Sequence, residues 1–435
     1  MRWRRLVMGA AFAAAVGWHA VAAGQPLLDE LTELAAQHPQ VRAGGELVTA
    51  SEHGIDRAFA GYLPRVTIVG DVGREYTDSP TRRAAGQDEF VGTRRKGTVT
   101  VTQNVFEGLR TQAQVAGARL TRDATENDLE ATRQRVLQEG AAAYFEMMKS
   151  MRLVDLARRN IETITTQLRL EDERVARGSG ISVDVLFARS RLQLAEERLA
   201  AFMGELRNAQ ARYQQVFGKA PDPSGLTLPP SISSAMPADA PQAVEIAIRE
   251  HPEIRASQLR GDIASERRDG ARANFFPRFD IVGRANYEND VEGVPGRRND
   301  YSIGLQASYD LFKGFADKAE LAQANSELSA VRTNHFHVAR KVREAADIAM
   351  QDLATLRERR ELLKSAVSIA SEVFESRRRL RDAGKETALN VLDAENEVYV
   401  AQINLTRVEF DERIVEFRVL QTIGRLTLTN LAAAR

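Results

Sequence analysis

Short segments in which polar and apolar residues alternate occur in both halves of the chain. From Tyr301 to Asp310, the odd positions are apolar and the even positions are polar or glycine. Val99 and Val101 alternate with threonines in the same way. A period of two is typical of a β-strand whose two faces meet different surroundings. We therefore predict two strand pairs, with strands at about 62–76, 94–105, 275–287 and 301–311.

A long helical pattern follows each strand pair. In the first copy, apolar residues recur every seven positions, as in a coiled coil: Met147, Val154, Ile161, Leu168 and Val175. As one helix, the proline-free stretch 106–177 extends ~108 Å, at ~1.5 Å per residue. Such a rod is too long for a compact domain of this size. The pattern predicts long helices, glycine turns after them and returning helices: 106–177 and 182–217 in the first copy, 312–383 and 387–424 in the second.

The two halves of the chain share short motifs at constant offsets. His38-Pro39 reappears as His251-Pro252, 213 residues later. Phe106-Glu107-Gly108 reappears as Phe312-Lys313-Gly314, 206 residues later, so the first copy has a longer loop between its two strands. Constant offsets indicate a duplicated unit. The predicted organisation is a signal peptide at 1–23, a first repeat at 24–220, a Pro-rich linker at 221–241, a second repeat at 242–430 and a C-terminal tail at 431–435.

The shorter helices of the first repeat are predicted to lie in series along the long one. Helices at about 40–61 and 182–217 total ~87 Å when laid end to end, close to the length of the long helix. The small helix at 27–37 and the linker near 219–245 are expected to fill the remaining gap. We predict that they form a belt at mid-length.

The N-terminus has the composition of an export signal. Met1 to Arg5 carries three arginines, an apolar run follows from Leu6 to Val16, and small residues precede Gly24. This order predicts a signal peptide that is cut near Ala23. The chain has no cysteine, which excludes disulfides, thiolate metal sites and a lipid-attachment cysteine. Cleavage leaves 57 basic and 60 acidic residues, which gives no reason to expect nucleic acid.

Membrane entry, if it occurs, is expected to use strands. No apolar stretch of the mature chain has the ~20 residues of a transmembrane helix, and only helices and closed barrels satisfy the backbone in lipid. Tyr301 and Tyr309 lie ~26 Å apart along a strand, close to the ~25 Å apolar band between aromatic girdles. Four strands are too few to close a barrel. Self-association is therefore predicted, with eight strands from two chains or twelve from three, of which twelve leaves a wide lumen.

Residue patterns of enzymes are weak in this chain. His335 and His337 are two positions apart in a predicted helix and face different directions, so packed or solvated histidines explain them better than a metal site. No Gly-rich phosphate loop follows a strand, and no nucleophile elbow is present. We predict a protein that is not an enzyme and binds no cofactor or metal.

A strand pair, a long helix, a glycine turn and a returning helix, all present twice, resemble the plan of the TolC-type outer membrane factors. The resemblance is carried by the strand-to-helix junctions at Phe106 and Phe312 and by the turn segments 178–186 and 384–394, and it covers essentially 27–430. It implies an α+β membrane protein of a Gram-negative outer membrane. The implied assembly is a homotrimer with a 12-stranded outer-membrane β-barrel and a long periplasmic coiled-coil barrel of α-helices.

The resemblance also implies a periplasmic gate at the two turns. The aspartate pair of the family corresponds here to Asn390 and Asp393, so half of the acidic ring is missing. Asp184 is the matching acid of the first turn, and Glu386 stands where some members have a basic latch residue. Three copies of Asp393 around an axis are expected to favour cations. The implied turn hinges and adaptor-docking positions are Gly178, Gly180, Ser182, Gly384, Glu386 and Thr387, and the implied aromatic belt is Tyr301 and Tyr309.

Helix-end chemistry gives these turn residues a simpler role. Gly178 and Gly384 suit left-handed helix ends, and Ser182 and Thr387 are candidate N-caps. Capping of the helix dipole alone is the favoured explanation for Asp184. Asp393 lies further into its helix, so capping explains it less well.

The predicted function is an export duct of a tripartite system, in which the partners supply the energy. The implied partners are a periplasmic adaptor protein, an inner-membrane ABC transporter or proton-driven efflux pump, and outer-membrane lipid. The segment 420–427 resembles the branch for type I protein secretion, which favours protein export over multidrug efflux. A coiled-coil surface protein with a barrel anchor is the alternative of another class. A duct is expected to expose to external protease only loops near 77–93 and 288–300.

Overall fold

A computed structural model describes residues 26–178 and 180–433, which form long helices and one small sheet. The predicted signal peptide and Ser179 lie outside the described residues. The elements in chain order are α1 (Pro26–Gln37), α2 (Pro39–Phe59), β1 (Arg65–Thr77), α3 (Pro80–Ala84), β2 (Phe90–Phe106), α4 (Arg110–Ala176), α5 (Ser182–Phe217), α6 (Ala240–Glu250), α7 (Pro252–Arg272), β3 (Arg278–Val291), β4 (Val294–Ser308), α8 (Ala316–Asp382), α9 (Ala388–Thr422) and α10 (Leu428–Ala433).

The duplication is visible in matching elements. The long helices α4 and α8 each have 67 residues, and α2 and α7 each have 21. Both α2 and α7 begin with a proline in the first turn, where the missing N–H costs nothing. Their N-caps are His38 and His251, whose Nδ1 atoms accept backbone N–H bonds at 3.3 and 3.2 Å. The same dipeptide thus starts the same helix in each repeat.

The four strands form one antiparallel sheet in the order β1-β2-β3-β4. The central pair β2 and β3 joins the two repeats, for example through Val101 opposite Gly283. Among the described residues, β1 and β4 are the edges of the sheet, and Ile68 and Ile303 on them have 76 % and 83 % exposed side chains. The sheet therefore ends in two apolar, unpaired edges.

The second hairpin differs from its sequence prediction. The turn lies at 291–294, so most of the predicted loop near 288–300 is strand, and β4 ends at Ser308 rather than 311. Polar cross-strand neighbours such as Glu288 and Arg298 stabilise this segment, which has no apolar alternation of its own. Tyr309 consequently lies beyond the strand, and its spacing from Tyr301 is not a strand spacing.

The long helices begin four residues later than predicted. Gly108 and Leu109 both have left-handed backbone angles, as do Gly314 and Phe315, and the helices start at the next residues, Arg110 and Ala316. At Gly108 a Cβ would meet the Ala273 carbonyl oxygen at 2.6 Å. The first junction therefore needs glycine at position 108 for both its backbone conformation and its lack of space.

Helix packing gives α4 the central position. It packs against α2 and α5 in series, as predicted, and also against α7 and α9. Met147 and Val154 of the seven-residue seam are buried, whereas Ile161, Leu168 and Val175 are only half-buried. None of the helices in the described residues has both the length and the apolar character needed to cross a membrane.

The main core lies at mid-length of the long helices, where α1 packs against α4 and α6 packs against α8. Leu31 of α1, Ile246 of α6 and Leu431 of α10 pack into one cluster with Tyr144 of α4. The Tyr144 hydroxyl donates to the Thr227 carbonyl at 2.8 Å and thereby holds the linker. Residues 431–433 of the predicted tail belong to α10, because Leu431 is buried in this core.

Candidate functional site

The two helical turns lie side by side, at the end of the helices that is far from the sheet. Gly178 and Gly384 end α4 and α8 with φ angles of +75° and +71°. Both left-handed ends were predicted, and they are confirmed. Gly180 has a different reason to be glycine, because a Cβ there would meet the Val175 backbone nitrogen at 2.7 Å.

Of the two predicted helix caps, only the second is present. Thr387 is the N-cap of α9, and its Oγ1 accepts the Asn390 N–H at 3.3 Å. Ser182 is the first residue of α5, and the N-cap is Ile181, which makes no side-chain cap bond. The capping prediction for Ser182 is therefore wrong.

One arginine connects both turns. Arg381, in the last turn of α8, donates to the Glu171 carboxylate of α4 at 2.7 Å and to Asp184 of α5 at 3.4 Å. Its other terminal nitrogen donates to the Glu386 carbonyl at 3.0 Å, inside the second turn. Asp184 therefore forms an ion pair with Arg381 of the other repeat. The prediction that it only caps a helix is wrong.

The burial of this cluster makes it sensitive to the loss of any member. The side chain of Glu171 is 3 % exposed and also accepts a bond from Arg174 at 2.9 Å, while Arg381 and Asp184 are largely shielded. Removing one partner of a buried ion pair leaves the other charge without compensation, which costs more than the pair contributes. The arrangement thus holds the two turns together through polar contacts that water replaces when they separate.

The second predicted acid, Asp393, is also paired across the repeats. Arg191 of α5 lies 2.5 Å from its carboxylate, which is about half exposed. Asn390 donates through its side chain to Glu386 at 2.6 Å, and Glu386 also accepts the Thr387 N–H. These bonds lower the pKa of Glu386, the Asn390 bond most strongly, so this half-buried acid stabilises its own turn as an anion.

A polar seam continues upward from the turns between α5 and α9. Arg198 donates to Asn396 at 3.4 Å and lies 5.7 Å above the Tyr399 ring. Beside them, burial raises the pKa of Glu395 to about 7. The seam between α5 and α9 therefore contains ionisable groups over several helical turns.

The other predicted residues lie elsewhere. Tyr301 is 79 % exposed on β4, and Tyr309 is exposed at the junction to α8, so both are near the sheet. His335 contacts the Ser257 hydroxyl at 2.8 Å. Within the described ranges, no group of three or more His, Cys, Asp or Glu side chains is arranged to hold a metal ion.

Sequence reasoning missed Arg381, Glu171 and Arg191. Glu171 and Arg191 sit in helices rich in charge, and nothing in their local pattern separates a paired residue from a solvated one. Arg381 had a usable signal, since it lies three positions before Gly384 and therefore in the last turn of the helix. Its carboxylate partners, Glu171 and Asp184, come from the other repeat, about 200 residues away, and only the fold brings them together.

Comparisons with known proteins agree with this architecture. The family model described as "Outer membrane efflux protein" matches residues 31–219 and 243–425. The outer membrane efflux protein BepC of Brucella suis is 26% identical over 391 residues, which are 90% of this chain and 82% of BepC. The alkaline protease secretion protein AprF of Pseudomonas aeruginosa is 24% identical over 376 residues, 81% of this chain and 74% of AprF.

A solved structure with the same fold is the Campylobacter jejuni CmeC outer membrane channel. It superimposes with a TM-score of 0.79 at 14% identity, and the match covers 99% of this chain and 97% of CmeC. At this identity the likeness establishes the fold alone. It covers the sheet, the long helices and the turns together.

Proposed function

The chain belongs to the outer membrane efflux protein family, and we propose that it forms one third of a trimeric duct whose narrow end opens at the two helical turns. Its location is the outer membrane, and its family is one of efflux channels. The proposal for the gate is carried by Arg381, which links α8 to α4, α5 and the second turn.

Assembly is supported by uncovered apolar faces on two different helices of the protomer. Leu362, Ile369 and Leu380 of α8 are exposed apolar residues, and so are Val183, Leu186 and Leu194 of α5. Large exposed apolar patches typically mark interaction surfaces. Two different surfaces that meet head to tail generate a ring when the rotation closes. In a ring of three, the edges β1 and β4 of neighbouring copies would join into a closed sheet of twelve strands.

Opening of the proposed gate requires the α8–α9 pair to separate from the α4–α5 pair at the turns. The bonds that must break include those of Arg381 to Glu171 and Asp184, and that of Arg191 to Asp393. A partner that binds the separated form better shifts the equilibrium toward it. We propose that a periplasmic adaptor protein and an inner-membrane transporter provide this binding energy, with Gly178, Gly180, Ser182, Gly384, Glu386 and Thr387 as hinge and docking positions.

The acidic constriction is proposed in a modified form. Asp393, with Asn390 beside it, lines the narrow end in each copy, but Arg191 offsets its charge while the pair is intact. Separation of the pair would leave three uncompensated carboxylates facing the passage. The open form is therefore expected to select cations more strongly than the closed form.

Protein secretion is the cargo class that we propose. The support is the AprF relative, whose name states protease secretion, and the resemblance of 420–427 to that branch. BepC, whose name states efflux, supports small-molecule efflux as the second candidate. A strain that lacks the protein separates the two: loss of an exported protein with unchanged drug susceptibility favours secretion, and the reverse favours efflux.

The gate is tested by single-channel conductance of the trimer in a planar bilayer. Arg381→Ala is expected to increase conductance several-fold, because the two turns lose their common link. Arg378→Ala is the matched control, since Arg378 lies one turn earlier and pairs with Glu375 of its own helix. Asp393→Ala should reduce cation selectivity. If well-folded trimers carry no current, the duct is wrong, and a structural coiled-coil protein becomes the better explanation; if only Arg381→Ala fails to differ from its control, the gate is wrong.

A further inference from the structure

A groove of about 600 Å³ lies between α4 and α9, above the second turn, and it contains unpaired buried polar groups. Glu395 and Tyr399 line it one helical turn apart and are 7 % and 4 % exposed. Both carboxylate oxygens of Glu395 and the Tyr399 hydroxyl lack hydrogen-bond partners among the described residues. Buried polar groups are nearly always paired, because an unpaired one loses its hydration without compensation. These groups therefore need an explanation.

The cations around Glu395 are all engaged with other groups. On the α5 side, Arg191 pairs with Asp393, and Arg198 donates to Asn396 while stacking over Tyr399. On the α4 side, the groove carries Arg152 and Arg159, which both pair with Asp155.

The remaining groups of the groove do not compensate Glu395 either. The acid Glu409 is at the far end, ~21 Å along α9 at ~1.5 Å per residue. From α8 the groove receives the apolar ring of Phe374. Burial is accordingly the sole cause that raises the pKa of Glu395 to about 7.

No ligand larger than a proton can reach the two carboxylate oxygens of Glu395. Both are closed off from solvent, so an amine in the groove has no access to them without a rearrangement of the helices. A metal ion lacks further acidic ligands, since the described residues contain no group of three or more His, Cys, Asp or Glu side chains that could hold one. A proton needs no space and converts the carboxylate into a neutral acid that is cheaper to bury.

We propose that Glu395 is a proton-binding site that keeps the seam between α4, α5 and α9 closed when it is occupied and loosens the seam when it is empty. The site lies beside the Arg191–Asp393 pair, which must separate in the proposed gate, so movement of α9 away from α4 and α5 would hydrate the carboxylate. As a regulation of the gate, this inference rests on the proposed function. The proton site itself is measurable without it.

The direction of the pH effect follows from the raised pKa. An acid whose pKa is higher in the closed form favours closure below its ordinary pKa of 4.5 and loses this contribution as the pH rises to about 7. From those two values, the ratio of loosened to closed seam rises about tenfold between pH 6 and pH 8. Alkaline conditions therefore favour opening.

The test is amide hydrogen exchange of residues 391–403 in the intact trimer at pH 6 and pH 8, corrected for intrinsic exchange rates. In the wild type, protection should fall about tenfold at the higher pH. Glu395→Gln has the same shape and no charge, so it should retain the acid level of protection at both values. Glu409→Gln, on the same helix and in the same groove, should behave as the wild type.

Equal pH dependence in the wild type and Glu395→Gln, or none in the wild type, would overturn the proposal. Conductance measured on the same samples distinguishes a failure of the proton site from a failure of the proposed duct. A pH-dependent seam in a trimer without current would retain the proton site and reject the duct. A conducting trimer with a seam indifferent to pH would retain the duct and reject the site.

Discussion

The long helices α4 and α8 are copies of one element, yet they have very different surroundings. Along α4, buried residues continue to Glu171, near its end. Along α8, the last buried residue among those described is Leu353, about halfway. Leu156 and Leu362 occupy equivalent positions at the offset of 206, and their exposed fractions are 8 % and 65 %. One leucine is inside the protomer, and its copy faces outward.

This difference shows how one duplicated unit serves two purposes. α4 is covered by α2, α5, α7 and α9, so its apolar face stabilises the fold of a single chain. α8 packs mainly against α6, α7 and α9, and keeps an exposed apolar row for another surface. Duplication thus gave a central helix and an edge helix from similar sequences. The position in the fold, rather than the residue type, decides which one stabilises the chain.

The largest expected effect comes from the equivalent leucines. Leu156→Ala should lower the free energy of unfolding by about 2–5 kcal/mol, because it removes buried methyl groups and leaves a cavity. Leu362→Ala should change the free energy of unfolding of the protomer by less than about 0.5 kcal/mol, the usual range for surface substitutions. Chemical denaturation of both variants measures the difference.

Leu362→Glu completes this comparison because it adds a charge to the proposed interface. It should reduce the yield of trimer in size-exclusion chromatography with light scattering, while circular dichroism of the chain stays unchanged. Equal destabilisation by Leu156→Ala and Leu362→Ala would contradict the division between a central and an edge helix.

A smaller difference is expected at the two strand-to-helix junctions. Gly108→Ala and Gly314→Ala both place a side chain at a left-handed position, which costs about 1–2 kcal/mol. Gly108 has the Ala273 carbonyl oxygen in the way, whereas a Cβ on Gly314 meets nothing within 4 Å. Thermal unfolding should therefore show Gly108→Ala as the less stable variant. Identical melting temperatures would indicate that a neighbouring chain or a local shift evens out the two sites.

The smallest effect concerns the two histidine caps. Burial lowers the pKa of His251, so the neutral ring that caps α7 is favoured in the folded chain. Because the pKa of His251 is lowered in the folded chain, the fold loses stability as the pH falls below 6.5, the ordinary pKa of histidine. His251→Asn keeps a good cap without the titration and should reduce the loss of stability between pH 7.5 and 5.5. The measurement is the melting temperature at both values, with His38→Asn in the first repeat for comparison.

Much of the fold was accessible from the sequence because its signals are local. The proline-free helices, the glycine turns and the repeat offsets predicted α4, α5, α8 and α9 to within a few residues. The junctions were misplaced because a non-glycine residue, Leu109 or Phe315, adopts a left-handed angle there. β4 was misplaced because its polar first half is stabilised by β3 rather than by its own pattern.

The candidate site was predicted in position but not in its contacts. Gly384 and Thr387 have the conformation and the cap that local rules give them. The acids Asp184 and Asp393 were found by resemblance, yet their partners Arg381 and Arg191 were not. Ion pairs between helices depend on the rotation and height of each helix, which a local pattern does not contain.

The sequence by itself determined the elements of this protein, their duplication and the place of the turns. Periodicity, glycine and proline act within a few residues, so they can be recognised along the chain. The tertiary structure alone decided that α4 is central and α8 is an edge, that Arg381 links both turns, and that Glu395 is buried with no hydrogen-bond partner among the described residues. Burial and ion pairing arise between segments that are distant in the chain, and identical residue types acquire opposite roles when packing covers one copy and leaves the other exposed.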